Sequence, residues 1–438
     1  MVSRRKSVDE GNTVDSAKHP VADEVNICPQ DLKKIMTSEG ALGRPFLIGD
    51  FVSVKKRNVQ IRGYVDFYGG YANHCREIIL GLDQTGMYNI RLVPIPSPVD
   101  IHPDLWNKMN WYIHNPAYRE ENSDFLVIAG PGHLQKQFLP ENRRIIGWTM
   151  IETLGVQKQI VGWCNNADLI LCPTDIDYRR FCLGGVKKNK LKIVPIGYDE
   201  KVFHKDVIPL DIINLRSRYV FGFVGSWNHR KGVEEIVTAF VRTFNCDEPV
   251  SLMLVCKYGN RPYGENAENR EEWGIRTELK RCLDGIGIPE SRMPHITVVD
   301  VPLHPPVIPH LYSRIDCLVG FSMGESTWLP GLEVGAMHKP IIQLNNPACG
   351  YMDYLYGARY LCQERDVVKC DEKMYGGTSE YYEGEEMCVG NVDELGDKMR
   401  MAYAERGTKV QQEEIETTAK AISVRTWDNS IRKLVEVL

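Results

Sequence analysis

Two carboxylates stand eight positions apart in Glu325-Ser-Thr-Trp-Leu-Pro-Gly-Leu-Glu333. The apolar run Ile315–Phe321 precedes them and Pro340–Leu344 follows. That order reads as strand, loop carrying Glu325, helix carrying Glu333 in its first turn, then strand. Pro330 suits the first helical turn, where its missing N–H would be unpaired in any case. The free N–H groups of such a helix start attract anions, diphosphates included. A carboxylate beside an anion site repels bare phosphate. It suits a ligand that also presents hydroxyls, as a nucleotide sugar does.

Other residues could share this chemistry. In Gly222-Phe-Val-Gly-Ser-Trp-Asn-His-Arg-Lys-Gly-Val233 a strand runs into a glycine turn, with Arg230 and Lys231 at the start of the next helix. Cations there oppose the helix dipole, a cost that an anionic ligand would reverse. The alternative is two solvated surface charges. Tyr68-Gly69-Gly70 leads from the first strand into a helix bearing His74 and Arg76. The adjacent glycines permit a ligand to approach the backbone closely, or simply make a tight turn. A lone histidine such as His74 is more often structural than catalytic. His133, in Ala129-Gly-Pro-Gly-His133, and Glu152, in Gly147-Trp-Thr-Met-Ile-Glu-Thr153, end strands at the edge where α/β sheets bind ligands. Glu152 either orients an acceptor or caps the next helix. Asp175 and Asp177 could suggest a metal, but Thr174 with Asp177 three residues on fits helix capping better.

These residues must be positioned by a chain of 438 residues, long enough for two domains. Hydrophobic content is 43% and charged content 25%, with a net charge of −5. This is soluble globular composition, with no general pull toward nucleic acid. No apolar run spans a bilayer, and no secretory signal opens the chain. Thirteen cysteines without a Cys-x-x-Cys pair suit reduced core thiols in a cytoplasmic setting rather than a zinc site. The first strand series is Ile61–Phe67, Phe125–Ala129, Arg144–Trp148, Asp168–Cys172 and Lys192–Ile196, with helices over His74–Leu82 and Val156–Asn165. A second comprises Tyr219–Val224, Ser251–Cys256, Ile296–Val301, Asp316–Phe321 and Pro340–Leu344, with helices over Val233–Phe244 and Arg276–Leu283. Two such series imply an α/β protein with two Rossmann-like domains and parallel sheets. The expected division is a flexible extension over 1–45, an acceptor domain over 46–200, a donor domain over 201–415 and a crossing helix over 416–438. Tyr375–Gly390 reads as a surface loop. Basic clusters at Lys55–Asn58 and Lys187–Lys192 read as solvated faces, so no strong nucleic-acid affinity is expected.

Taken together, these motifs resemble retaining glycosyltransferases of family 4, which have the GT-B fold with two domains facing across a cleft. Glu325-Ser-Thr-Trp-Leu-Pro-Gly-Leu-Glu333 resembles the family's Glu-x7-Glu motif. Gly225 with Lys231-Gly232 resembles its glycine turn, and Pro195-Ile-Gly-Tyr-Asp-Glu-Lys-Val-Phe203 its interdomain signature. Gly147–Thr153, Asn165–Thr174 and Ser423–Leu438 with Trp427 are similar to further segments, so the likeness spans about residues 60–438.

The resemblance implies transfer of a hexose or pentose from a UDP- or GDP-linked sugar, with retained configuration and without metal or other cofactor. Glu333 would bind the ribose, Glu325 the transferred sugar, and Lys231 with Arg230 the leaving diphosphate. Backbone N–H groups near Trp328 and Leu329 would assist, with Thr327, Gly225, Ser226, Gly69 and Gly70 completing the donor site. Apart from the resemblance, their positions make Glu152 a catalytic candidate on the acceptor side and His133 and His74 candidate acceptor contacts. The acceptor class stays open among glycan, protein, lipid-linked sugar and modified nucleobase. Ser326 and Trp328 replace two family glycines, Ser226 replaces a common arginine, and His338 replaces a helix-ending glycine. Trp328 therefore places bulk where close donor approach is expected. A catalytically silent GT-B relative serving as a binding subunit is the alternative. A nicotinamide enzyme would require a Gly-x-Gly-x-x-Gly turn that neither series offers.

Overall fold

Alternating and continuous apolar runs of four to nine residues form strands, and the amphipathic stretches between them cover the strand faces. A computed structural model describes residues 22–24, 56–66, 69–96, 103–258, 274–300, 305–371, 374 and 382–438. Most of the expected N-terminal extension lies outside them, as do Lys55, Tyr68 and 375–381. The triplet Ala22–Glu24 (β1) is a strand rather than a loose tail, pairing in parallel with Ile296–Val298.

The first sheet contains Arg57–Gly63 (β2), Tyr88–Pro94 (β3), Asp124–Ile128 (β4), Ile145–Trp148 (β5), Leu169–Cys172 (β6) and Leu191–Ile193 (β7), in the order β3-β2-β4-β5-β6-β7. All its pairings are parallel. β3 was absent from the expected series. Its inward residues Tyr88, Ile90 and Leu92 alternate with polar ones, leaving no continuous apolar run. The second sheet contains Tyr219–Trp227 (β8), Val250–Tyr258 (β9), His295–Val299 (β10), Cys317–Val319 (β11), Ile341–Asn345 (β12), Leu361–Lys369 (β13) and Glu386–Gly390 (β14). Its order is β1-β10-β9-β8-β11-β12-β13-β14. The final pair is antiparallel. Part of the expected surface loop at Tyr375–Gly390 is thus β14, whose Met387 and Cys388 are buried.

Two parallel-sheet α/β domains are therefore present. The helices that matter for the site are Gly70–Gln84 (α1), Asp175–Gly184 (α2), Val233–Thr243 (α3) and Leu329–Ala336 (α4). The chain ends in Lys409–Ile422 (α5) and Trp427–Val435 (α6). The segment expected as a crossing helix over 416–438 holds the end of α5 and all of α6, divided where Thr426 caps α6, its side chain accepting from the Asn429 N–H. α6 packs on the first sheet, with Trp427, Ile431 and Leu434 buried against Val59, Ile61 and Trp148. Each such side chain contributes roughly 1.5–3 kcal/mol of burial. Gly81 of α1 makes room, since a Cβ there would lie 2.5 Å from Ile431. Among the described residues no helix is long and apolar enough to cross a membrane.

Candidate active site between the two sheets

β8 does not end at Gly225. It continues through Ser226 to Trp227, so Gly225 and Ser226 are strand residues rather than turn residues. The turn comes later. The Asn228 side chain accepts from the Lys231 N–H at 3.1 Å, and Gly232 takes a left-handed φ of +67°. Any Cβ on Gly232 would lie 2.4 Å from the Phe321 carbonyl oxygen, which enforces glycine there. Arg230 and Lys231 thus precede α3 instead of forming its first turn, which carries Glu234 and Glu235 as the helix dipole favours.

Both cations point at carboxylates. Arg230 Nη1 lies 3.2 Å from Glu325 Oε2 and 3.2 Å from Glu152 Oε1. Lys231 Nζ also contacts Glu325 Oε2. Glu152 follows β5 in the first sheet, so this cluster bridges the domains. Burial alone would raise the Glu325 carboxyl, but Lys231 and Arg230 outweigh it and hold it below the usual range. Glu152 moves the other way, raised by burial against Arg230, with the Glu325 charge adding to the rise. Two carboxyls sharing one arginine are thus pushed apart in acidity.

The loop before α4 is held from behind. Gln343 Oε1 accepts from the Ser322 N–H at 3.1 Å, and Asn346 Nδ2 donates to the Met323 carbonyl at 2.7 Å. Pro330 occupies the first turn of α4. Glu333 is its fifth residue, one turn further in than expected, and it is buried. Burial, then the nearby charge of Glu77 on α1, pushes its carboxyl up to about 8. The Thr327 hydroxyl is buried with no hydrogen-bond partner among the described residues. Leu329 touches the cores of both domains.

Trp328 corrects an expectation. Its indole does not stand in open space but is 3% exposed within the core of the second domain. It lies edge-on to Tyr351 with ring centroids 6.1 Å apart. Gly320 and Gly331 lie against it, and a Cβ at either would come within 2.7 Å of the indole. Its carbonyl accepts from the Gly331 N–H and the Tyr354 hydroxyl, each at 3.0 Å. His338 caps α4 in the left-handed region at φ +58°, with Nδ1 3.1 Å from Glu416.

On the first domain, Gly69 caps α1 in an extended conformation and its carbonyl accepts from Asn73. A Cβ on Gly70 would meet open space, so the protein itself does not demand glycine there. His74 is not an acceptor contact. It is fully buried, with its ring edge-on to Trp148 at 4.3 Å and stacked on Trp427 at 5.8 Å. Burial lowers it to about 3, so the ring stays neutral in the fold. Unfolded chains take up that proton near pH 6.5, so this site's stability contribution should fall as pH drops from about 6.5 toward 3. Urea melts at pH 7 and pH 5 should show a smaller acid loss in His74→Leu. An equal loss in both proteins would refute this assignment.

His133 sits on the turn after β4, with Nε2 3.0 Å from the Tyr64 hydroxyl. Burial and then Arg62 lower it to about 4. No ion pair links it to the Glu325 cluster among the described residues. Thr174 caps α2, its hydroxyl oxygen accepting from the Asp177 N–H at 3.0 Å as the spacing predicts. Sequence reasoning missed Arg180 and Glu77. The Asp-x-x-Arg spacing of Asp177 and Arg180, which places both on one helix face, was the available signal for Arg180. Glu77 gave none, because its neighbour Glu333 comes from the other domain.

No family model matches the chain, and no curated protein matches it in sequence. Solved structures do. Anabaena Alr3699/HepE in complex with UDP and glucose aligns with a TM-score of 0.60 at 11% identity, covering 87% of this chain and 99% of that one. Sucrose-phosphate synthase from Thermosynechococcus elongatus gives 0.57 at 12% identity, covering 87% and 98%. The trehalose-6-phosphate synthase OtsA gives 0.58 at 11%, again covering 87% and 98%. The fold shared with these proteins is GT-B.

Proposed function

We propose that this protein is a glycosyltransferase that moves a sugar from a nucleoside-diphosphate sugar to an acceptor hydroxyl. We further propose retained anomeric configuration and no requirement for metal. The observation that carries this reading is the convergence of Arg230 and Lys231 on Glu325, just before the helix bearing Glu333 and opposite Glu152. Cations paired to a carboxylate at an anion-attracting helix start suit a ligand with both phosphates and hydroxyls.

In this mechanism the bond between the anomeric carbon and the diphosphate oxygen breaks, and Lys231 and Arg230 balance the charge left on that oxygen. The acceptor oxygen bonds to the same face of the anomeric carbon, and its proton passes to the departing phosphate. Glu325 stays ionised and accepts hydrogen bonds from sugar hydroxyls. Glu333 binds the ribose. Glu152, raised by burial, orients the acceptor. His133 with Tyr64, on the first domain, is the remaining acceptor-side candidate. The twelve described cysteines are all free, which supports a reducing, cytoplasmic setting. With a net charge of −5 we expect no strong nucleic-acid affinity. Trp328 argued mildly for a catalytically silent relative, and its burial in the core weakens that argument.

A thermal-shift screen of UDP- and GDP-linked sugars tests the reading. UDP-glucose comes first, because it is the ligand named for a HepE complex. A bound donor should stabilise the fold in proportion to ln(1 + [L]/Kd). Glu333→Ala should abolish that shift, and an unchanged shift would refute the ribose assignment. Failure to release nucleoside diphosphate from any common donor would sink the transferase reading.

A further inference from the structure

We infer that the buried Asp177–Arg180 pair is a positioning device that locks Glu152 and Glu325 in register across the domain interface, closed by the Ser326 hydroxyl. Its catalytic consequence rests on the proposed sugar transfer, whereas the lock itself does not.

Asp177 is fully buried on α2, and its carboxylate accepts four hydrogen bonds. Oδ2 receives the Thr174 hydroxyl at 2.7 Å and the Ser326 hydroxyl at 2.6 Å. Oδ1 receives the Ile151 N–H at 3.3 Å and Arg180 Nη2 at 3.1 Å. Arg180 in turn donates to the carbonyls of Ile151 and Thr153. Those two residues flank Glu152, and Ser326 follows Glu325. One ion pair therefore grips the loop of the first catalytic candidate on both sides and the loop of the second at its next residue.

The two loops also touch directly. A Cβ on Gly324 would lie 1.9 Å from the Glu152 carbonyl oxygen, and a Cβ on Gly350 would lie 2.4 Å from Thr174 Cγ2. The Gly350 N–H donates to the Glu325 carbonyl at 3.2 Å. Capping α2 needs only the Thr174 oxygen and the Asp177 N–H. It does not require a buried carboxylate with an arginine, and such pairs roughly break even in stability because both charges lose water. What the pair supplies is fixed geometry. The hydroxyl that closes it stands where the Glu-x7-Glu motif of the resembled family carries glycine, so the lock is a feature of this chain.

Ser326→Ala removes only the interdomain hydroxyl, and Asp177→Asn removes the charge. In the full-length protein, transfer kcat should fall about tenfold to a hundredfold in Ser326→Ala, the worth of one hydrogen bond to a charged group. Donor KM should change little, because the donor contacts remain. The double variant should be no slower than Asp177→Asn alone, since both break one lock. Small-angle scattering of ligand-free Ser326→Ala should show an increased radius of gyration as the domains part. Unchanged kcat with unchanged scattering, or fully multiplicative effects in the double variant, would overturn the lock. If no donor is turned over but Ser326→Ala still opens the domains, the lock stands and the transferase reading fails. Should Asp177→Asn not fold, kcat and scattering of Ser326→Ala decide alone.

Discussion

Lys231→Ala is expected to lower transfer by about a hundredfold to a thousandfold, the usual cost of removing one preorganised group from developing transition-state charge. Two effects combine. The departing diphosphate loses a cation, and Glu325 loses one of the two charges that keep it ionised. Burial pulls the Glu325 carboxyl upward, and Lys231 is the largest influence opposing it. With Arg230 alone remaining, that carboxyl should rise. Activity that depends on ionised Glu325 is present above its pKa and lost below it. The acid limb of the pH–rate profile should therefore move to higher pH in Lys231→Ala. Glu325→Gln should erase that limb, and adding Lys231→Ala to it should cost less than Lys231→Ala costs alone. A profile that keeps its acid limb unmoved in Lys231→Ala would show that Glu325 is not the titrating group.

The same cluster shows what could be read from sequence. Glu325, Arg230 and Lys231 were legible as candidates because they lie on two short motifs of one domain, and the structure brings their side chains together. The parallel-sheet architecture followed from apolar runs such as Phe125–Ile128 and Leu169–Cys172, buried on both faces. The Glu152–Arg230 contact was not legible: the sequence offered Glu152 only as an acceptor-orienting group or a helix cap, and the contact is made between domains at a sequence separation that no local pattern encodes. His74 shows the converse. Its place at a helix start suggested a ligand contact or a structural role, and the deciding fact is a tryptophan 353 positions later folding back on it. Gly225 was misplaced for a local reason. Glycine usually breaks strands, yet here the ladder runs on to Trp227 because β9 pairs with it throughout.

Trp328 gives the second large effect, with a sign opposite to the one its sequence position suggests. If the indole crowded the donor, Trp328→Gly, which restores the residue common in the resembled motif, would improve donor binding. The structure places the ring under the loop, against Tyr351 and in the space left by Gly320 and Gly331. Removing it leaves a cavity directly beneath Thr327 and the start of α4. Large-to-small changes of a buried aromatic cost about 3–5 kcal/mol, and glycine adds backbone freedom to the unfolded chain. The melting temperature should drop on the order of 10 °C. Donor affinity should weaken as well, because the N–H groups of α4 lose the support that aims them. Trp328→Phe keeps most of the buried ring and should recover much of both losses. A Trp328→Gly protein that melts like the parent and binds donor more tightly would place the indole in the cleft after all. It would also restore the bulk argument against catalysis.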